Sequence, residues 1–180
     1  MKIIVDSDIG LELLAPKHTQ ALFALTDANR LYLRQWLPWL DSVITATDTA
    51  AFINATHKKF AQQGAANFAV LVNGQVCGVV GFNDVNAREQ TGAIGYWLAQ
   101  ASQGQGIMTR AVKALLQFGF ANLKLHALEI NVALGNHKSR ALAERLGFTL
   151  SGKKLQCEWL YNRFVDHAVY RLRREDYAPD

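Results

Sequence analysis

The segment from residue 94 to residue 134 constrains the fold most, because its pattern is that of a strand, a glycine-rich loop, a helix and a second strand. Ile94–Leu98 is a short apolar run, and apolar residues at helical spacing follow the loop from about Met108 to Asn122. A second apolar run, Leu128–Leu134, is long enough for a buried strand. A strand–helix–strand unit of this length makes a parallel connection within one sheet. The chain must therefore contain a pair of parallel strands joined through a helix.

The first 64 residues predict one strand and three helices. Leu11–Leu14 is predicted to be the strand, and Pro16 suits the first turn of the helix that follows. Pro38 ends a second helix, because proline lacks the amide hydrogen that a helix interior needs. Asp48 is a candidate N-cap for the third helix, which is predicted to end near Gly64.

Residues 68 to 98 predict an antiparallel meander. Phe68–Val72 and Val76–Phe82 flank Asn73-Gly74, the two-residue turn typical of a hairpin. A polar loop is predicted from 83 to 90, followed by the strand Thr91–Leu98. Short turns between consecutive strands are typical of antiparallel pairing.

The last segments complete the predicted fold. A helix from about Lys138 to Leu146 is closed by Gly147, and two strands follow, at about 149–159 and 164–173. The sequence therefore predicts an α/β (α+β) fold: one domain over residues 1–180, with a mixed, mostly antiparallel sheet and helices on both faces.

Composition favours a folded cytoplasmic protein. Half of the 180 residues are apolar and 19% are charged, the apolar stretches are shorter than a membrane span needs, and Asp6 comes too early for a signal peptide. We expect Cys77 and Cys157 to be two buried thiols. The net charge of +4 suits nucleic acid, an acidic protein or a phosphate-bearing cofactor equally, but no nucleic-acid motif is present. We therefore expect neither nucleic acid nor a membrane as partner.

Two glycines directly before a helix let the backbone approach a ligand closely, and the unpaired amides of the first turn favour an anion such as pyrophosphate. A dinucleotide-binding fingerprint would need a third glycine where Thr109 stands, and a P-loop would need Lys and Ser or Thr after Gly106. Both nucleotide motifs are therefore absent. The dispersed histidines and cysteines show no metal-ligand spacing, so no metal is expected. The loop comprises Gln103, Gly104, Gln105, Gly106, Ile107 and Met108.

The loop resembles the Gln/Arg-x-x-Gly-x-Gly/Ala signature of the GNAT N-acetyltransferase family, with Met108 in place of the usual small residue. The resemblance covers essentially the whole chain. It is closest to the branch that acetylates the N-terminal alanine or serine of ribosomal proteins, and within that branch to the serine-specific enzymes. The stretches that carry it, beside the loop, are Trp36-Leu37-Pro38-Trp39, Gly95-Tyr96-Trp97-Leu98, and Asn136-x-x-Ser139 leading to Leu146-Gly147-Phe148.

The resemblance implies acetyl-CoA as the acyl donor and an amine as the acceptor. In the family, the strand matching Ile94–Trp97 separates from the strand matching Ile130–Leu134, and pantetheine lies in the gap. The implied acceptor is the N-terminal α-amino group of a ribosomal protein that begins with serine, and an acidic one would suit the positive net charge. The residues implied to contact acetyl-CoA are Tyr96, Trp97, Leu98, Gln103, Gly104, Gln105, Gly106, Ile107, Met108, Asn136 and Ser139.

The resemblance also implies two catalytic residues. Ser139 would protonate the leaving thiolate, although a serine in the first turn of a helix is ordinarily a capping residue. Glu158 would act as the base, although a glutamate on a strand is ordinarily a solvated side chain. Asn136 would bond CoA or cap the helix, and Trp36 and Trp39 would line the acceptor channel or belong to the core.

Two other functions fit the same residues. The first is acetylation of a small amine such as a polyamine, an amino acid or an antibiotic, because acceptor loops vary more freely than donor sites. The second is a CoA-binding module without transfer activity, against which Ser139 and Glu158 both argue. Unpaired strand edges are also compatible with a homodimer.

Overall fold

A sheet of eight strands forms the centre of the computed structural model, which describes residues 1–178. The strands are β1 (Lys2–Ile4), β2 (Ile9–Leu13), β3 (Asn67–Val72), β4 (Gln75–Asn86), β5 (Thr91–Leu98), β6 (Ala127–Ala133), β7 (Thr149–Leu160) and β8 (Arg163–Arg173). Their order across the sheet is β1-β2-β3-β4-β5-β6-β8-β7. Only β5 and β6 pair in parallel among these strands, and the other neighbours are antiparallel. The predicted mixed sheet is confirmed.

Helices cover both faces of the sheet, as the sequence predicts. The helices are α1 (Thr19–Ala28), α2 (Arg30–Leu33), α3 (Ala46–Gln63), α4 (Ile107–Gln117) and α5 (His137–Arg145). Leu22 of α1 and Ile53 of α3 are buried against Ala69 and Val79 on one face. Neighbouring strand residues such as Phe68 point to the opposite face, where the apolar sides of α4 and α5 complete the larger core.

Positive backbone φ angles fix the turns that the sequence predicts. Asn73 and Gly74 have φ angles of 49° and 80°, as the type I′ turn of a two-residue hairpin requires. Gly64 ends α3 at φ 75°, and Gly147 follows α5 at φ 84°. Each is a helix end at which glycine adopts the left-handed conformation without strain.

Two predicted helix boundaries were wrong. α2 ends at Leu33, five residues before Pro38, and an irregular turn covers the residues between them. Asp48 is the third residue of α3 rather than its N-cap. Its carboxylate accepts hydrogen bonds from the backbone amides of Ile44 (2.9 Å) and Thr45 (2.7 Å), which places Thr45 at the N-cap position.

Strand β4 extends to Asn86, so the first half of the predicted polar loop from 83 to 90 is strand and the turn covers only 87–90. The short strand β1 was not predicted. The α-helical part of α4 ends at Gln117, and a π-helical turn follows it as far as Asn122.

Cys77 is buried as expected, whereas Cys157 is exposed because it lies on the edge strand β7, and both are free thiols. Within residues 1–178, no helix combines the length and apolar character needed to cross a membrane.

Candidate active site

β5 and β6 separate halfway along their length. Their parallel register runs from Thr91 opposite Ala127 to Ile94 opposite Ile130, and ends there. Beyond this point β5 continues to pair with β4, and β6 continues to pair with β8. The edges of β5 and β6 that face each other therefore present backbone N–H and C=O groups to the gap between them.

The glycine-rich loop lies at the N-terminus of α4, beside this gap. Gly104 and Gly106 have φ angles of 76° and 70°. Gly106 is the N-cap of α4, and within the described chain no side chain caps that end of the helix. The first-turn amides, with the positive end of the helix dipole, are thus available to an anion.

Side chains on both sides hold this loop in place. Gln103 donates through Nε2 to the hydroxyl of Tyr32 in α2, and its Oε1 accepts from Lys138 Nζ of α5 at 3.3 Å. Gln105 turns back on its own segment, because its Nε2 donates to the carbonyl of Ala101 at 3.2 Å. Gln103 therefore links the loop to two helices, while Gln105 only stiffens it.

The gap and the loop open into one cleft of about 1300 Å³. Every residue that the sequence analysis assigned to the site lines this cleft except Gln105. The cations Lys138 and Arg145 of α5 also line it. Side chains from the strands, α5 and the segment after α2 meet here, although Trp36 and His167 are distant in the chain.

Ser139 lies in the first turn of α5, and its hydroxyl is directed to β5. Asn136 is the N-cap of the helix, since its side-chain oxygen accepts from the backbone amide of Ser139 at 3.2 Å. The hydroxyl oxygens of Ser139 and Tyr96 are 2.8 Å apart. Burial raises the pKa of Tyr96 to about 12. Asn136 thus performs the capping, which leaves the Ser139 hydroxyl facing the cleft.

A partly buried network fixes α5, and with it Ser139, against β8. Tyr170 donates to Glu144 at 2.6 Å and accepts from Arg140 Nε at 3.1 Å. Arg140 also donates to the carbonyl of Leu134 at 3.2 Å. The Tyr170 hydroxyl, with a side chain only 1% exposed, therefore has a structural place in the core.

Glu158 lies on β7 at the other end of the cleft. Its Oε2 is 3.3 Å from Nε2 of His167 on β8, and the two side chains are 27% and 15% exposed. Both residues line the cleft. The sequence analysis did not include His167. The only signal for it in the sequence is the alternation of β8, which leaves a histidine among apolar residues.

The segment after α2 closes this end of the cleft. The Tyr161 hydroxyl donates to the carbonyl of Leu37 and accepts from the amide of Leu40 at 3.2 Å, and the Arg34 guanidinium lies 3.7 Å from its ring centroid. Tyr161 is in the turn between β7 and β8, with a φ angle of 59°. We call these contacts the Tyr161 latch; the sequence analysis missed it.

The latched segment carries the two tryptophans that the sequence analysis singled out. Trp39 packs against Trp97 of β5 with ring centroids 6.3 Å apart, and the Trp36 ring lies beside Gly135. Both tryptophans are partly exposed and line the cleft. This end of the cleft thus has aromatic walls and a carboxylate.

Three observations test whether this cleft fits acetyl-CoA. The β5–β6 gap offers backbone groups along its length to an amide-containing chain, and the glycine loop offers amides to a pyrophosphate. Asn131 of β6 lies just past the point of separation, and its buried side-chain oxygen has no hydrogen-bond partner among residues 1–178. A donor bound in the cleft would satisfy it. The residues fit the cosubstrate.

A separated parallel strand pair, a glycine-rich loop with uncapped helix amides and a cleft that reaches a serine and a carboxylate are the features of an acyl-CoA-dependent acyltransferase. The family model described as "Acetyltransferase (GNAT) domain" matches residues 8–149. The chain therefore belongs to the GNAT acetyltransferase family, and it is an acetyl-CoA-dependent N-acetyltransferase.

Three relatives show how far this similarity extends. The ribosomal-protein-serine acetyltransferase of Escherichia coli (strain K12) is 30% identical over 168 residues, which cover 93% of this chain and 94% of that protein. The structure of RimL, a ribosomal L7/L12 α-N-protein acetyltransferase in complex with coenzyme A, matches with a TM-score of 0.92 at 28% identity, over 96% and 98% of the two chains. The microcin C7 self-immunity acetyltransferase MccE, in complex with acetyl-CoA and AMP, matches with a TM-score of 0.89 at 29% identity over 94% of each chain.

Proposed function

We propose that the protein acetylates the N-terminal α-amino group of a ribosomal protein that begins with serine, and that it does so in the cytoplasm. The observation that carries the proposal is the single cleft that joins the glycine loop to Ser139 and, at its other end, to Glu158. The similarity to a ribosomal-protein-serine acetyltransferase over nearly the whole chain supports the choice of acceptor.

The donor end would hold acetyl-CoA mainly through backbone groups. The amides of Gly106, Ile107 and Met108 would bind the pyrophosphate, and the free edge of Tyr96–Leu98 would pair with pantetheine. Lys138 adds positive charge beside the loop. When bound, acetyl-CoA supplies a thioester carbonyl that is open to attack by an amine. The backbone amides near Tyr96 would polarise it.

Ser139 would donate a proton to the leaving sulfur. The Tyr96 hydroxyl stays protonated at neutral pH, because its pKa of about 12 lies far above 7. The phenol therefore keeps one proton to donate, and the proposal places it on Ser139 Oγ at 2.8 Å, the shorter of its two contacts with Ser139, rather than on the Ser139 carbonyl at 3.3 Å. That assignment directs the Ser139 proton away from Tyr96 and into the cleft.

Glu158 would accept the proton of the acceptor amine, directly or through one water molecule. An α-amino group has a pKa of about 7.7–8.0, against about 10.4 for a lysine side chain, so a carboxylate base suffices near neutral pH. The amine loses one proton to Glu158 and the sulfur gains one from Ser139. Ser139 then regains a proton from solvent and Glu158 releases its proton to solvent, so that amine and acetyl-CoA give amide and CoA thiol with both side chains restored.

The acceptor end favours the extended end of a polypeptide. Trp36 and Trp39 form apolar walls, and the exposed Lys154 of β7, which lies outside the cleft lining, pairs with the cleft residue His167 on the neighbouring strand. A cation at this place would attract the acidic residues of a substrate protein.

The proposal is tested by following free thiol release with acetyl-CoA and a panel of amines. The panel holds peptides with N-terminal Ser, N-terminal Ala and N-acetylated Ser, each in an acidic and a neutral version, together with polyamines and free amino acids. We expect the highest kcat/KM with the acidic Ser peptide and none with the N-acetylated control. Turnover confined to polyamines or amino acids would overturn the proposed acceptor.

A small-molecule acceptor is the second candidate. The similarity to MccE, a microcin self-immunity acetyltransferase whose structure holds AMP, supports it. The same panel, extended with aminoacyl nucleotides, separates the two candidates because each predicts turnover of a different acceptor. CoA binding without turnover of any amine would instead support a CoA-binding module.

A further inference from the structure

The geometry of the acceptor end points to a residue beyond the proposed pair of Ser139 and Glu158. His167 Nε2 lies 3.3 Å from Glu158 Oε2, and both side chains line the cleft. His167 is 15% exposed, so this contact lies largely out of water, where a hydrogen bond to a carboxylate is stronger than at the surface.

A bulge in β7 brings the two side chains together. Lys154 is opposite His167 and Glu158 is opposite Val165, so four steps along β7 correspond to two steps along β8. The extra residues lie around Gln156. Its φ angle is 45°, and its backbone amide donates to Asp166 Oδ1 at 2.7 Å. Bulges of this kind redirect a side chain at a strand edge.

The bulge has a consequence for the direction of Glu158. Side chains of directly paired residues, and of residues an even number of positions apart on one strand, lie on the same face of the sheet. Glu158, Lys154 and His167 therefore share one face. Without the extra residues, Gln156 would stand opposite Val165 in the place that Glu158 occupies. The carboxylate therefore reaches the cleft only because β7 is lengthened at this point.

We propose that His167 is a positioning residue for Glu158. Its Nε2–H donates to Glu158 Oε2, which fixes the carboxylate and leaves the second oxygen, Oε1, directed to the acceptor amine. A carboxylate with one oxygen held in this way accepts a proton in a single orientation instead of rotating between several. The inference rests on the proposed role of Glu158 as the base.

Three substitutions at two positions test the proposal. His167→Phe keeps the ring and removes the donor, and we expect kcat with the Ser peptide to fall about tenfold or more while KM for acetyl-CoA changes less than twofold. His167→Gln keeps an N–H at a similar distance from the backbone, and we expect it to recover most of that loss. His126→Phe, the same change at an exposed histidine outside the cleft, should leave kcat unchanged.

A double-mutant cycle separates positioning from a purely structural role. If His167 acts through Glu158, His167→Phe should have little further effect in the Glu158→Gln background. An equal loss in both backgrounds would overturn the proposal, as would equal activities of the Phe and Gln variants. Acetyl-CoA binding by calorimetry and circular dichroism would establish that each variant is folded.

The outcome distinguishes this proposal from the one on which it rests. Near-normal turnover by Glu158→Gln would remove the assigned base, and the role of His167 with it. An inactive Glu158→Gln variant beside a fully active His167→Phe variant would leave the base in place and overturn the role of His167 alone.

Discussion

The two ends of the cleft are built from different kinds of interaction. The proposed donor end is made of backbone groups from short continuous stretches, the β5 edge and the loop from Gln103 to Met108, in which glycine conformation matters more than side-chain chemistry. The proposed acceptor end is made of side chains from distant segments, joined by contacts such as Leu40 to Tyr161, 121 positions apart. The donor end should therefore tolerate changes of side chain, and the acceptor end should tolerate few.

Glu158→Gln is the strongest test of this difference, because it alters one atom at the acceptor end. General base help is typically worth about 10²–10⁴-fold, so we expect kcat to fall at least tenfold and by about a hundredfold if no water substitutes. The dissociation constant of acetyl-CoA should change less than twofold, as measured by calorimetry. A near-normal kcat would contradict the assignment. Glu175→Gln, at an exposed glutamate after β8, is the matched control.

Gly106→Val probes the donor end. The added Cβ would meet no described atom within 4 Å, so the cost arises from the φ angle of 70° and from the approach of the ligand to the loop. A left-handed non-glycine residue costs roughly 1–2 kcal/mol, and we expect acetyl-CoA to bind at least tenfold more weakly. Gly152→Val is the matched control, since that glycine has equal space and no positive φ angle. Equal affinity in both variants would refute the anion-binding role of the loop.

Ser139→Ala and Tyr96→Phe test the side-chain pair that lies closest to the donor end. Each change removes one hydroxyl of the 2.8 Å hydrogen bond. We expect Ser139→Ala to lower kcat about tenfold and Tyr96→Phe to lower it several-fold, with acetyl-CoA affinity retained. Once Ser139 is Ala, the change at Tyr96 should add little. If Ser139→Ala left kcat unchanged, Ser139 would have only a structural role in the first turn of α5.

Tyr161→Phe weakens the acceptor end without touching a proposed catalytic group. It removes the hydroxyl that holds Leu37 and Leu40, at a cost of about 1 kcal/mol per hydrogen bond and a fall in Tm of roughly 2–4 °C per kcal/mol. We expect KM for the Ser peptide to rise several-fold while KM for acetyl-CoA stays constant. Equal changes in the two KM values would show that the Tyr161 latch affects the whole cleft. That result would contradict the proposed difference between the donor end and the acceptor end.

The pH dependence should come from the acceptor end. With saturating acetyl-CoA, kcat/KM for the peptide should rise through about pH 7.7–8.0 as the α-amino group loses its proton. The donor end should add no alkaline limb below pH 10, because burial raises the pKa of Tyr96 to about 12 and its hydroxyl keeps its proton. The Tyr96→Phe profile should therefore parallel that of the unchanged protein. A decline near pH 9–10 that Tyr96→Phe abolishes would contradict this.

Local sequence patterns were enough to predict the structure of the proposed donor end. The glycine pair before an apolar helix predicts an anion-binding helix start, and the strand–helix–strand unit predicts the parallel pair beside it. Both depend on residues close in sequence, whose backbone conformations are set by local sterics. The hairpin turn at Asn73-Gly74 is of the same kind. The turn, the parallel pair and the helix start with its left-handed glycines are confirmed, and anion binding at that helix start stays a prediction.

The acceptor end was predictable only in part. Glu158 and the two tryptophans came from the resemblance to a family and not from spacing, and their roles are still proposals. His167 and Tyr161 were missed because each has a partner on another element or in a distant segment, and no periodicity links such partners. The error at α2 has a similar cause, since the segment before Pro38 takes its shape from the Tyr161 latch rather than from helix propensity.

The sequence by itself determined the order of the helices and of strands β2 to β8 along the chain, and the glycine loop, because these follow from periodicity and backbone sterics within short windows. The family was indicated by the resemblance of its motifs. Tertiary structure alone decided which side chains share the cleft. The β7 bulge that turns Glu158 toward His167, and the hydrogen bond between Tyr96 and Ser139, depend on strand register and on the packing of α5. Register is a property of two strands together, so neither strand encodes it alone.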